Sequence, residues 1–129
     1  MPITQLNMSA SLVNPSWNPD HALKRLGGDR QLLLEMAQIF LEEAPSQMQL
    51  LSKAVAADNC RDAELAAHRL KGDLGYLHAV EAAECARKLE DAAHKGDLSD
   101  VETALAELET NLEAIFTVLR ALCEDYPTE

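Results

Sequence analysis

From residue 101 to 122 the apolar positions fall at Val101, Leu105, Leu108, Leu112, Ile115, Leu119 and Leu122, in alternating steps of four and three. That spacing is the narrow apolar seam of a helix packed in a bundle. Ser99-Asp100-Val101-Glu102 reads as a capping box opening this helix. Upstream, Ala79, Ala82, Ala86, Leu89 and Ala93 make a matching seam of mostly small residues that ends at Gly96. A third periodic stretch runs through Leu32, Leu33, Met36, Ile39, Phe40, Met48, Leu51, Ala54 and Val55. Pro45 lies inside it, where a missing backbone donor and a clash with the preceding turn predict a kink or a break. A fourth covers about 60–77, with Ala63, Ala66, Ala67, Leu70, Leu74 and Leu77 on one face at 100° per residue. Ahead of these, Asn18-Pro19 supplies an N-cap and a proline at the first helical position for a short helix through Leu26, stopped by Gly27-Gly28.

Four arms (29–57, 60–77, 79–95 and 98–123) with short connections predict an all-α fold, an antiparallel four-helix bundle with a short N-terminal capping helix. Residues 1–16 show no period and read as a tail or linker, 17–125 as the bundle, and 126–129 as a C-terminal tail. Four arms suffice to bury the leucine seam internally, so a monomer is expected. Phe40, Phe116, Met36 and Met48 read as packing, and Trp17 as a staple between the capping helix and the bundle. Composition agrees, since 20 Ala and 21 Leu against 13 Val, Ile and Thr together disfavour sheets.

Charge narrows the function classes. With 11 Lys+Arg against 22 Asp+Glu the net charge is −11, unsuited to general binding of nucleic acid or an anionic membrane surface. Cys60, Cys85 and Cys123 are odd in number and widely spaced, which predicts reduced thiols. With no basic region ahead of an apolar run and no long apolar stretch, a cytoplasmic location is expected. No G-x-G-x-x-G, P-loop or G-x-S-x-G is present. A di-iron bundle would need paired E-x-x-H motifs, and there is none. Glu107, Glu109 and Glu113 fall off the last seam and read as a solvated face.

The chemistry concentrates in Ala66-Ala67-His68-Arg69-Leu70-Lys71-Gly72-Asp73-Leu74-Gly75-Tyr76. On a helix, His68 lies about 140° from the centre of the apolar face and points to solvent. Gly72 and Gly75 fall on its side, one and two turns on, and Lys71 on the adjoining flank. Two glycines within a helix cost about 1 kcal/mol each relative to alanine, so a purely structural helix would not carry them. They bare the ground beside an exposed imidazole and let another protein approach. Histidine, with an ordinary pKa near ~6.5, is largely an unprotonated nucleophile at neutral pH. Phosphoryl transfer asks mainly for in-line positioning and charge neutralisation, which Lys71 supplies. His21, His78 and His94 read as ordinary surface or edge residues.

Ala67-His68-Arg69-Leu70-Lys71-Gly72 resembles the signature of the histidine-containing phosphotransfer (HPt) domain family. Ala22-Leu23 through Gly28-Asp29, Phe40–Pro45, Cys85 with Leu89-Glu90, and Gly96-Asp97 extend the likeness over about 19–123. The resemblance implies that His68 accepts the phosphoryl group, that Lys71 neutralises its charge, and that Gly72 clears space for the partner. Glu64, Leu65, Arg69, Gly72 and Gly75 are then expected to meet that partner, the receiver domain of a hybrid sensor kinase or of a response regulator. Such a protein is a phosphorelay carrier, not an enzyme, without ATP-binding or autokinase elements. It is expected to bind no cofactor or metal, the Mg²⁺ coming from the receiver. Two positions depart from the family pattern. Asp73 replaces a small residue, and His78 stands where the family has a second glycine, ten residues after the histidine. They motivate an alternative, a helical docking module that binds a receiver or kinase without phosphotransfer.

Overall fold

The computed structural model describes residues 17–125; the expected tails, 1–16 and 126–129, lie outside them. The described residues form five helices and no strand: α1 Pro19–Arg25, α2 Arg30–Ala56, α3 Cys60–Tyr76, α4 Val80–His94 and α5 Glu102–Asp125. α3 packs most extensively on α4 and next on α2, while α5 closes the bundle against α4 and α2. Short α1 sits against α2 at one end. This is the expected antiparallel four-helix bundle with its capping helix.

The core lies where the periodicity of the last three helices placed it; in α2, Leu33, Phe40, Leu51 and Ala54 are buried, but Leu32 and Ile39, read as part of the same stretch, are exposed. Ala63, Ala66, Ala67, Leu70, Leu74 and Leu77 are buried, as are Ala79, Ala82, Ala86, Leu89 and Ala93 from α4 and the turn before it. Val101, Leu108, Leu112, Ile115 and Leu119 are buried along the last seam, with Leu105 and Leu122 partly so. Phe40 and Phe116 meet across the bundle with ring centroids 5.7 Å apart. The Trp17 indole N–H donates to the Leu77 carbonyl at 3.0 Å, tying the start of the bundle to the end of α3.

Capping defines most helix starts. Asn18 Oδ1 accepts from the Asp20 amide at 2.8 Å, Asp29 Oδ1 from Leu32 at 3.0 Å, and Asn59 Oδ1 from Asp62 at 3.1 Å. The first four helices share one ending, in which the second residue past the C-cap position reaches back to the carbonyl five residues earlier. The pairs are Gly28 to Leu23, Asn59 to Ala54, Ala79 to Leu74 and Asp97 to Ala92. The residue between turns left-handed each time, a glycine at Gly27 and Gly96 but Asp58 and His78 elsewhere, both at φ 55°.

Two local expectations are corrected. Of the kink or break expected at Pro45, the break does not occur: α2 runs from Arg30 to Ala56 with the proline inside. Pro45 is exposed, and the helix is anchored on both sides of it by Phe40, Ala44, Leu51 and Ala54 in the core. That burial offsets the lost hydrogen bond. The capping box is not formed either. α5 begins at Glu102, and its first turn closes from Leu105 N–H to the Val101 carbonyl at 2.9 Å. The Ser99 hydroxyl and amide instead both donate to Asp97 Oδ1, at 2.5 and 3.0 Å, in the preceding turn.

Candidate functional site

Burial of Ala63, Ala66, Ala67, Leu70 and Leu74 fixes the roll of α3 and turns His68 outward, its side chain 66% exposed. Leu65, Arg69, Gly72 and Gly75 share this exposed side. A β-carbon built at Gly72 or Gly75 meets no other atom within 4 Å, and neither glycine has a positive φ. Nothing inside the protein therefore requires glycine at these two positions. Their effect is external, a low strip running from His68 towards the end of the helix. On the α2 side, Leu50, Lys53, Leu65 and Arg69 line a groove whose wall includes His68. Leu65 keeps 58% of its surface exposed.

The partner that sequence reasoning missed is Glu90, from α4. Its neighbour Leu89 is fully buried, and this aims Glu90 across the α3–α4 seam, its side chain 16% exposed. Glu90 Oε2 lies 2.7 Å from His68 Nδ1, and Oε1 lies 2.6 Å from Lys71 Nζ. A carboxylate only accepts, so Nδ1 carries the proton and donates to it. In the neutral ring the lone pair is then on Nε2. Burial alone pushes the Glu90 carboxyl up, but hydrogen bonds and charge from Lys71 and His68 together outweigh it and hold the carboxyl below its ordinary value. Oε1 is buried, and the contact with the Lys71 ammonium is what compensates it. Lys71 thus flanks the histidine as expected, but its ammonium is held by Glu90.

One turn earlier on α3 the arrangement repeats with roles exchanged. Glu64 Oε2 lies 2.9 Å from His94 Nδ1. His68 and Glu90 are equidistant from Ala79 at the hairpin turn, as are Glu64 and His94. In an antiparallel hairpin such residues face each other, and this was the available signal for Glu90. Glu64, expected at the partner surface, is half-buried and paired with His94, which stays on the surface as expected, 76% exposed.

The two departures acquire locations. Asp73 faces α2, lining a cleft with Met36, Ile39, Phe40, Tyr76 and Leu77. Burial pushes its carboxyl up, Arg69 opposes this, and Glu43 adds to it. His78 lies beyond α3, in the left-handed position of the helix ending, with its ring edge-on to His21 at 5.9 Å. A glycine there would serve backbone conformation, so the His78 substitution bears on the turn and not on the strip beside His68. The three cysteines are free, and burial raises the Cys85 and Cys123 thiols. Among the described residues no group of three or more His, Cys, Asp or Glu is placed to hold a metal ion, and no helix is long and apolar enough to cross a membrane.

A family model of the Hpt domain matches residues 35–118, spanning His68, Lys71, Gly72 and Glu90. The chain belongs to the Hpt domain family. Among solved structures, the HPT domain from the Hpt sensor hybrid histidine kinase from Shewanella is similar to this Hpt domain in fold. It has 19% identity and a TM-score of 0.77 over 86% of this chain and 96% of that one. No curated protein matches the chain significantly. Membership places this Hpt domain among the phosphotransfer carriers of two-component phosphorelays.

Proposed function

We propose that this Hpt domain takes a phosphoryl group onto Nε2 of His68 from the aspartyl phosphate of one receiver domain and passes it to the aspartate of another. The observation that carries this reading is the pairing of His68 Nδ1 with Glu90, which leaves Nε2 as the free nucleophile on a face bared by Gly72 and Gly75. In the forward step Nε2 forms a bond to phosphorus and the acyl phosphate P–O bond breaks. The electron pair leaves with the receiver's aspartate, which regains its carboxylate. The Nδ1 proton stays on the ring, where Glu90 balances the positive charge that grows as Nε2 gives up its pair. Lys71, its ammonium 2.6 Å from the same carboxylate, is the cation that stands beside the arriving phosphoryl group. The receiver contributes its own Mg²⁺, and its exposed apolar surface meets Leu65 and Leu50, with Arg69 at the rim.

The test is label transfer. A receiver domain charged with radiolabelled acetyl phosphate in Mg²⁺ is mixed with the full chain. The wild-type protein should acquire acid-labile, base-stable label and His68→Gln should acquire none. Label persisting on His68→Gln refutes the assignment. Binding of receiver with no label on the wild-type chain supports the docking module instead.

A further inference from the structure

Lys71 cannot serve two anions equally. Its ammonium sits 2.6 Å from Glu90 Oε1, a buried oxygen with no other compensation. Glu90 in turn holds His68 through its second oxygen. A phosphoryl group on Nε2 adds about two negative charges to a site whose cation is already engaged. Lys71 must then leave Glu90, stranding a buried carboxylate oxygen, or stay and leave the phosphoryl group poorly screened. A glutamine at residue 90 would still accept the Nδ1–H bond through its amide oxygen but would bring no charge to hold the lysine.

Resting on the reading of His68 as phosphoryl acceptor, we propose that Glu90 withholds Lys71 from the phosphoryl group and so sets the transfer equilibrium of this protein, destabilising phospho-His68 and favouring delivery of the group onward. A second effect opposes this one, since Glu90 also balances the charge of the Nδ1-protonated phosphoimidazole, and the Glu90→Gln ratio reads the net of the two. Glu90 is therefore a positioning residue with a thermodynamic role, acting through His68 and Lys71 rather than on the phosphoryl group. Geometry supports the link between the three side chains, since one carboxylate, 16% exposed, reaches the His68 ring and the Lys71 ammonium by its two oxygens.

The experiment is a phosphoryl-exchange equilibrium with one receiver domain, charged with acetyl phosphate in Mg²⁺ and freed of excess donor. The final ratio of phospho-His68 to receiver phosphate is read for full-length wild type, Glu90→Gln, Lys71→Met and the double variant. The receiver is common to all four, so differences report the stability of phospho-His68. Glu90→Gln should raise the ratio about ten-fold, the scale of one additional charge-assisted hydrogen bond from Lys71 to the phosphoryl group. Lys71→Met should lower it more in the Glu90→Gln background than in wild type, because only there is the lysine free to be lost. An unchanged or lower ratio in Glu90→Gln overturns the proposal, as does an equal Lys71→Met effect in both backgrounds. Label on His68→Gln overturns the proposal together with the reading of the site. A flat Glu90→Gln ratio with unlabelled His68→Gln overturns the proposal alone.

Discussion

Replacing Gly72 by alanine should make this protein more stable and a poorer phosphoryl acceptor at once. Gly72 sits in the interior of α3, between Leu70 and Leu74, which are both fully buried. A β-carbon there meets no atom within 4 Å and the backbone is ordinary helix, so no clash offsets the gain in helix propensity. The expected stabilisation is about 1 kcal/mol. For a chain of 129 residues that raises the midpoint of thermal unfolding by roughly 3–5 °C. The same methyl group stands on the strip one turn from His68, where the receiver must come close. Transfer from a charged receiver should slow measurably with Gly72→Ala and collapse with the bulkier Gly72→Gln, while circular dichroism stays that of a helical bundle. Thermal melts and initial transfer rates on the same preparations make the test. A destabilised Gly72→Ala would mean that the space beside the helix is not open. A Gly72→Gln protein that accepts phosphoryl at the wild-type rate would mean that the receiver does not use this strip.

Other consequences follow from the same geometry. His78→Gly should stabilise the fold by about 1 kcal/mol, because a non-glycine residue at φ 55° costs roughly 1–2 kcal/mol and the ring contact with His21 returns only part of that; transfer to His68 should be unaffected, read by urea denaturation beside the label assay. Glu90 has its carboxyl lowered in the folded state from an ordinary 4.5. It therefore contributes stability above that pH, and the contribution is lost as pH falls through the lowered value. Asp73 is raised above 3.8 and acts oppositely, its ionisation weakening the fold as pH rises through the raised value. Denaturation midpoints measured from pH 7 down to pH 2.5 should fall less steeply at the acid end for Glu90→Gln than for wild type, and Asp73→Asn should be the more stable protein at pH 7. Reversal of either trend would contradict the electrostatic assignments.

Much of the architecture was legible in the linear pattern because burial in a bundle is periodic. The alternating four-and-three seam from Val101 to Leu122 and the alanine seam from Ala79 to Ala93 each name a face, and a face named on every helix leaves few ways to assemble them. The exposure of His68 followed from the same arithmetic, since its neighbours Ala67 and Leu70 had to go inward. Where expectation failed, a local rule met a tertiary one. Pro45 should interrupt a helix on its own, but core contacts on both sides carry α2 through it. Ser99 has the right spacing for a cap, yet Asp97 two residues away captures its hydroxyl first.

The amino-acid sequence by itself determined the helices, their buried faces, the outward histidine and the bare glycine strip, because each depends on spacing within one segment. Only the packing of α4 against α3 decided that Glu90 would reach both His68 and Lys71, and that Glu64 would meet His94. The two histidine–glutamate pairs lie 22 and 30 residues apart along the chain, and their contacts depend on the rotation and axial offset of two antiparallel helices. A charge on one helix carries no mark of which neighbour it will face until the cores of both have locked together.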